Sequence, residues 1–283
     1  MKTFSKTPAP DEKVETIPCP VCGGAYFDEK WEIAGSHFVN CRTCGLLLQN
    51  PQPLRASLAL RYDAEYCAYE IQNQETFFSL MLLGLQDAAF FENIAPTLPS
   101  PRKILDVGCA TGRLLRHFKE KGWETAGIEI CKESAEYGNR EYGVNIAVAS
   151  MGEFGFPDES FSTVHASHLI EHVDNPTMLA AEVARVLAPG GVFICVTPTT
   201  DGFQARLFGS SWRSAIPDHV TLFSLKTLTR LLSNVSLHVE LVRTWGGLAA
   251  GTVSHWIKKP IDYLAKRWGF GDVLLVVARK PRK

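Results

Sequence analysis

Apolar side chains recur along the chain at two spacings. Short apolar runs stand at Ile104, Leu105 and Val107, and within 123–130, 144–148, 161–164, 189–198, 237–243 and 272–279. Runs of that length, bounded by turn residues, read as strands, the first of them a central one buried on both faces. Between them, apolar residues return every three or four positions. This is so for Leu114, Leu115 and Phe118, for 134–142, for 176–187, and for 224–232 with Ser224 as N-cap. Strands alternating with helices predict an α/β, doubly wound sheet from about residue 100 to 283. Ahead of it, 75–94 carries apolar residues on most sides and predicts a helix packed against the sheet domain. Pro96, Pro99 and Pro101 end that helix.

The most informative junction is Asp106-Val107-Gly108-Cys109-Ala110-Thr111-Gly112. A buried strand runs into a tight turn and then into a helix. Gly108 and Gly112 let the backbone bend and approach a ligand, and Thr111 stands where an N-cap would. Such a helix start offers unpaired N–H groups and a positive dipole end, which suits a nucleotide-type cofactor. The G-x-G-x-x-G spacing of dinucleotide sites is absent. Glu129 closes the second strand, where a carboxylate accepts ribose hydroxyls in doubly wound folds. His168 falls just beyond the carboxyl end of the fourth strand, where ligands bind in such sheets.

The cysteines divide the picture. Cys19-x2-Cys22 and Cys41-x2-Cys44 are separated by eighteen residues, with two short hairpin strands expected around 31–33 and 37–39. Two matched pairs of this kind predict a closed four-thiolate Zn²⁺ site that holds a small fold together and does no chemistry. Composition adds constraints. A hydrophobic content of 46% supports a full core, and a net charge of −1 gives no global basic field for nucleic acid or a membrane surface. The N-terminus lacks a signal-peptide core and no apolar run reaches a membrane span. The expected home is the cytoplasm, where disulfides are not expected.

The Asp106–Gly112 turn resembles motif I of the class I S-adenosylmethionine-dependent methyltransferases, with Ala110 in place of the middle glycine. Further likeness lies in Phe156-Pro157-Asp158-Glu159-Ser160-Phe161-Ser162, with Ser162 where aspartate is usual. It continues in Leu169-Ile170-Glu171-His172-Val173 and Pro189-Gly190-Gly191. A zinc ribbon ending in Cys44-Gly45, a short apolar strand and Asn50-Pro51-Gln52-Pro53 ahead of such a domain resembles a bacterial group acting on small molecules. The resemblance implies a Rossmann-like seven-stranded sheet with its last strand antiparallel. It implies S-adenosylmethionine held by Asp106, Gly108, Cys109, Ala110, Gly112 and Glu129, by Ser150 and Met151 at the adenine, and by His168 at the methionine part or the acceptor. His219, within a His-x-x-x-Phe-Ser segment, is the candidate general base, with a loop-orienting role as its equal rival, and His168 is a second catalytic candidate. His172 reads as structural.

The remaining expectations follow from local pattern. Residues 1–17 form a loose tail, 18–53 the zinc ribbon, 54–99 a helical connector and 100–283 the methyltransferase domain. Tyr62, Tyr66 and Tyr69 pack the connector rather than line the active-site mouth. Trp212 and Tyr66 are candidates to steady the sulfonium. The stretch 245–271 mixes Trp and Ile with Lys and Arg, as a packed helix or a peripheral membrane contact would. The expected partner is a small-molecule acceptor, with the chain a monomer or homodimer. Two other readings stand beside it: an RNA methyltransferase using the ribbon to bind RNA, and a zinc-dependent binding module without chemistry.

Overall fold

In the computed structural model, which describes residues 12–282 except 60, 63, 247–264, 266 and 267, the N-terminal part holds five short strands. These are β1 (Val14–Glu15), β2 (Phe27–Ile33), β3 (Ser36–Cys41), β4 (Leu47–Gln49) and β5 (Gln52–Pro53). Helices α1 (Arg55–Ala59) and α2 (Ala64–Asp87) follow. The α/β part then runs β6 (Lys103–Val107), α3 (Arg113–Glu120), β7 (Glu124–Glu129), α4 (Lys132–Tyr142), β8 (Ile146–Val148) and β9 (Phe161–Ser167). It continues with α5 (Pro176–Val186), β10 (Leu187–Pro198), α6 (Phe203–Phe208), β11 (Thr221–Leu222), α7 (Leu225–Asn234), β12 (His238–Trp245) and β13 (Val273–Arg279).

Seven strands form one sheet in the order β12-β13-β10-β9-β6-β7-β8. Strand β13 runs antiparallel to both its neighbours, and the β10-β9-β6-β7-β8 pairs are parallel. The unbroken apolar runs exist because both faces are covered. Leu105, Phe193, Cys195, Leu274 and Val276 face one core; Ile104, Val192, Ile194, Leu275 and Val277 face the other. From β6 the chain runs outward to β7 and β8 on one side, then crosses back to β9 on the other side of β6. The switch point, where a crevice opens in doubly wound sheets, therefore lies at the carboxyl end of β6.

The ribbon is not a detached module. Its sheet has the order β11-β4-β3-β2, so a strand from the α/β part completes it. Asn234 Nδ2 donates to Val21 O at 2.9 Å, and Thr177 Oγ1 donates to Pro20 O. Cys19, Val21, Cys41 and Cys44 share a core with Leu228, Leu231 and Leu232 of α7.

Several expectations are corrected. Helix α2 starts at Ala64, eleven residues before the expected 75. Its first half docks through polar groups: Glu70 to Ser134, Gln74 to Thr111, Tyr137 and Tyr142. A helix attached that way shows little apolar period. Thr111 is not an N-cap. Gly112 takes that position without a side-chain cap, and Thr111 Oγ1 donates to Gln74 Oε1 at 3.0 Å. Residues 12–17 are tied down, with β1 paired to β5 and Glu12 bonded to Arg61 at 2.8 Å. Cys67 and Cys131 form a disulfide across a Cα–Cα distance of 6.3 Å, where compartment alone argued for none. Most of 245–271 lies outside the described residues. Among the described residues, no helix is long and apolar enough to cross a membrane.

Candidate active site

A cavity of about 460 Å³ opens beyond the carboxyl ends of β6, β7 and β9, with α2 as its roof. Gly108, Cys109, Ala110, Glu129, Ser150, Met151 and His168 all line it. The turn after β6 holds three successive left-handed residues at alternate positions: Gly108 (φ 67°), Ala110 (φ 48°) and Gly112 (φ 69°). Glycine adopts this conformation freely and alanine at a cost of about 1–2 kcal/mol. Asp106 and Gly112 do not face the cavity. Asp106 is buried beneath the turn, where its Oδ1 lies 2.7 Å from His165 Nδ1 on β9. Gly112 starts α3.

Glu129 is the buried acid of the cavity. Its Oε2 accepts the Ala110 N–H at 2.9 Å and its Oε1 the Cys131 N–H at 2.9 Å. Burial raises its pKa while these backbone donors oppose the rise. Glu70 on α2 also lines the cavity, and its Oε2 accepts the Ser134 hydroxyl at 2.8 Å. Burial, then the charge of Glu129, pushes the Glu70 carboxyl up to about 8. Burial thus pushes both acids upward, with backbone donors opposing the rise at Glu129.

Residues 85–242, more than half of the chain, match the methyltransferase-domain family. The chain belongs to this methyltransferase family. The turn and sheet order place it with the class I, S-adenosylmethionine-dependent members. It is 30% identical over 97 residues to the sterol 4-C-methyltransferase of Caenorhabditis elegans, covering 32% of this chain and 29% of that protein. It is 30% identical over 103 residues to the ubiquinone biosynthesis O-methyltransferase of Methylococcus capsulatus, covering 34% and 44%. The match therefore spans less than half the length of these relatives. A solved S-adenosylmethionine-dependent methyltransferase from Thermotoga maritima superposes with a TM-score of 0.56 at 20% identity, covering 79% of this chain and 98% of that one. At that identity the likeness shows the fold.

The methyltransferase domain carries a histidine shelf at the other end of the cavity. His168 (φ 52°) and His172 line the cavity, while Glu171 and His219 lie behind them. Glu171 is fully buried, and its Oε2 accepts the Thr197 hydroxyl at 2.9 Å. Burial alone would raise its pKa; the surrounding imidazoles of His168, His172 and His219 outweigh this and hold it at about 2. His172 and His219 meet edge to face at 4.6 Å between ring centres. Burial, then the charge of His172, holds His219 at about 3. His219 therefore neither reaches the cavity nor has the basicity of a group that takes a proton at neutral pH. Its Nδ1 donates to Ser214 O at 2.7 Å, which fixes the loop before β11.

Other side chains of the methyltransferase fall differently from the sequence reading. Tyr62 and Tyr66 line the cavity as an edge-to-face pair 4.9 Å apart, joined there by Phe77 and Met81 of α2. Trp212 lies elsewhere, buried with Phe38, Leu47 and Leu222. Ser150 Oγ accepts from Arg55 Nη2 at 2.7 Å, so α1 props the loop after β8. Ser162, standing in for aspartate, is a sheet brace: its Oγ accepts the Lys103 N–H at 2.9 Å and donates to Lys103 O at 3.0 Å.

The four ribbon thiols gather with all sulfurs within 4.8 Å of one another. The pairs Cys19–Cys44 and Cys22–Cys41 each stand 3.5 Å apart. Burial pushes the Cys19 and Cys44 thiols up, the latter to about 11, whereas at Cys41 the N–H groups of Cys44 and Thr43 and the neighbouring thiols outweigh burial and bring that thiol down to about 7. A Cβ on Gly24 would come within 3.2 Å of Cys41 Sγ and 3.3 Å of Cys22 Sγ. Converging thiols, backbone donors and a residue without a side chain fit a tetrahedral Zn²⁺.

Proposed function

We propose that this methyltransferase transfers the methyl group of S-adenosylmethionine to a small-molecule acceptor with an apolar body. The observation that carries the proposal is Glu129. A buried carboxylate faces the cavity at the end of β7, across from the Gly108–Gly112 turn. That is the arrangement a ribose diol requires. Glu129 would take the ribose hydroxyls, with Gly108, Cys109 and Ala110 along the methionine side and Ser150 and Met151 at the adenine. Asp106 and Gly112 would act from below by holding the turn, and His168 would face the methionine part or the acceptor. When bound, S-adenosylmethionine supplies an already reactive methyl group. The chain's own task is to align donor and acceptor and keep water out.

Support for the acceptor class comes from the other wall. Tyr62, Phe77, Leu80, Met81 and Met178 give the cavity an apolar side. The relatives named above act on a sterol or serve ubiquinone biosynthesis, and both names point to apolar bodies. One is a C- and the other an O-methyltransferase, so the methylated atom is left open. We also assign Zn²⁺ to Cys19, Cys22, Cys41 and Cys44 as a structural ion. Calorimetric titration with S-adenosylhomocysteine tests the main reading. Saturable one-to-one binding is expected; no binding by the folded chain overturns it.

A further inference from the structure

The histidine shelf holds more than hydrogen bonds explain. Glu171, His172 and His219 bring one ligand atom each to within 4.8 Å of one another. Both imidazoles have their tautomer fixed from behind. His172 Nδ1 donates to Asp218 O at 3.0 Å, and His219 Nδ1 donates to Ser214 O at 2.7 Å. Each Nε2 is left as a lone pair. A backbone carbonyl on the far nitrogen is how metal-binding histidines are oriented. The carboxylate is prepared in the same way. Thr197 holds Glu171 Oε2, while Oε1, fully buried, accepts no hydrogen bond. Oε1 lies 3.2 Å from His168 Nδ1, close enough for charge attraction but outside hydrogen-bond geometry. A buried carboxylate oxygen whose only neighbour is an imidazole outside hydrogen-bond geometry, set beside two further imidazole lone pairs, leaves acceptor positions that a cation would satisfy.

We propose that Glu171, His172 and His219 bind a divalent transition-metal ion, with His168 at the rim as a further ligand. Two imidazole nitrogens and one carboxylate oxygen suit Zn²⁺, Mn²⁺, Fe²⁺ or Co²⁺ better than Mg²⁺. The ion is separate from the ribbon's: no thiol is in the set. Its open side faces the cavity through His172 and His168, which both line it. Three protein ligands leave coordination positions for oxygens of a bound molecule. The structure thereby narrows the acceptor to one bearing a hydroxyl or a pair of neighbouring oxygens. That narrowing rests on the methyl-transfer reading, whereas the binding of the ion does not. The site also accounts for a buried imidazole and a half-buried one next to a buried acid, a set that a plain apolar core would replace at less desolvation cost.

The test uses the full chain with zinc in its ribbon. Mn²⁺ is titrated in while calorimetry and the imidazole proton NMR signals are followed. The expected result is one Mn²⁺ site beyond the ribbon, with paramagnetic broadening confined to His168, His172 and His219. Glu171→Gln and His219→Gln, which keep side-chain size, should each weaken that site by at least about ten-fold. Their ribbon zinc and their S-adenosylhomocysteine binding should stay as in the parent chain. Absence of a second site, or broadening of other histidines only, overturns the proposal in the unmodified protein, whatever the variants do to folding. Mn²⁺ binding that is equal in parent and variants overturns it as well. Because cofactor binding is read separately, loss of the metal site and failure of the methyl-transfer reading give different results.

Discussion

Glu129 Oε2 accepts the backbone N–H of Ala110 at 2.9 Å. The acid at the end of β7 is therefore bonded to the one left-handed residue of the β6 turn that is not glycine. The bond fixes the turn and the carboxylate together, so neither is an independent part of the site.

Glu129→Gln tests that coupling. A carboxamide has one acceptor oxygen and one donor nitrogen, so either Ala110 or Cys131 loses its partner. An unpaired buried donor costs about 1–3 kcal/mol. The expected outcome is a fall in S-adenosylhomocysteine affinity of at least about ten-fold, read by calorimetry, with the fold retained by circular dichroism. Unchanged affinity would separate Glu129 from the cofactor.

The carboxyl of Glu70 gives a pH signature. Its pKa rises from an ordinary 4.5 to about 8 in the folded chain. The folded state thus holds a proton that the unfolded state releases. That contribution to stability is whole below pH 4.5 and is lost as pH rises through about 8. Glu70→Gln keeps an acceptor for the Ser134 hydroxyl and has no proton to lose. In thermal melts from pH 5 to 9, the variant should flatten the alkaline decline of Tm. Parallel curves for variant and parent would refute this assignment.

Removal of the ribbon metal should be felt beyond the ribbon. Cys19, Cys41 and Cys44 pack in one core with Leu228 and Leu231 of α7. Cys41→Ser, or treatment with a strong chelator, should lower the Tm of the whole transition and release one zinc per chain by metal analysis. A melt in which only a small separate step moves would show that the ribbon folds alone.

The Cys67–Cys131 bridge closes a loop with a sequence separation of 64 residues. Loop-closure entropy for that length is worth about 4 kcal/mol in the unfolded chain. Cys67→Ser, compared with the oxidised parent in urea, should lose stability of that order. Addition of a reductant should lower the parent and leave the variant unmoved. A reductant-insensitive parent would show that the bridge is absent in solution.

The sheet was legible because its central strands are buried on both faces and the helices between show their period. Ile104 and Leu105, buried on opposite faces, are enough to mark β6 as central. The cofactor turn was legible because backbone bends need small residues at set spacings. Much less of the roof could be read. Tyr66 and Glu70 reach the cavity on a helix whose inner face is held by Gln74 and Glu70 through hydrogen bonds, which leave no periodic apolar mark, and Tyr62 reaches it from the segment just before that helix. His219 illustrates a different limit. Residue type and neutral-pH chemistry made it a base candidate, but burial behind His172 depends on the packing of the loop before β11, which sequence spacing does not encode.

Strand β11 is two residues long and finds its partner in β4 of the ribbon, Thr221 against Leu48 and Leu222 against Leu47. A chain shortened to begin after residue 53 would bare that short edge together with the apolar surface of α7. Unpaired N–H and C=O groups beside uncovered leucines invite other copies to dock. Such a truncated protein would be expected to self-associate. Engineering a minimal catalytic fragment from this fold would therefore have to begin with a substitute for the lost partner strand.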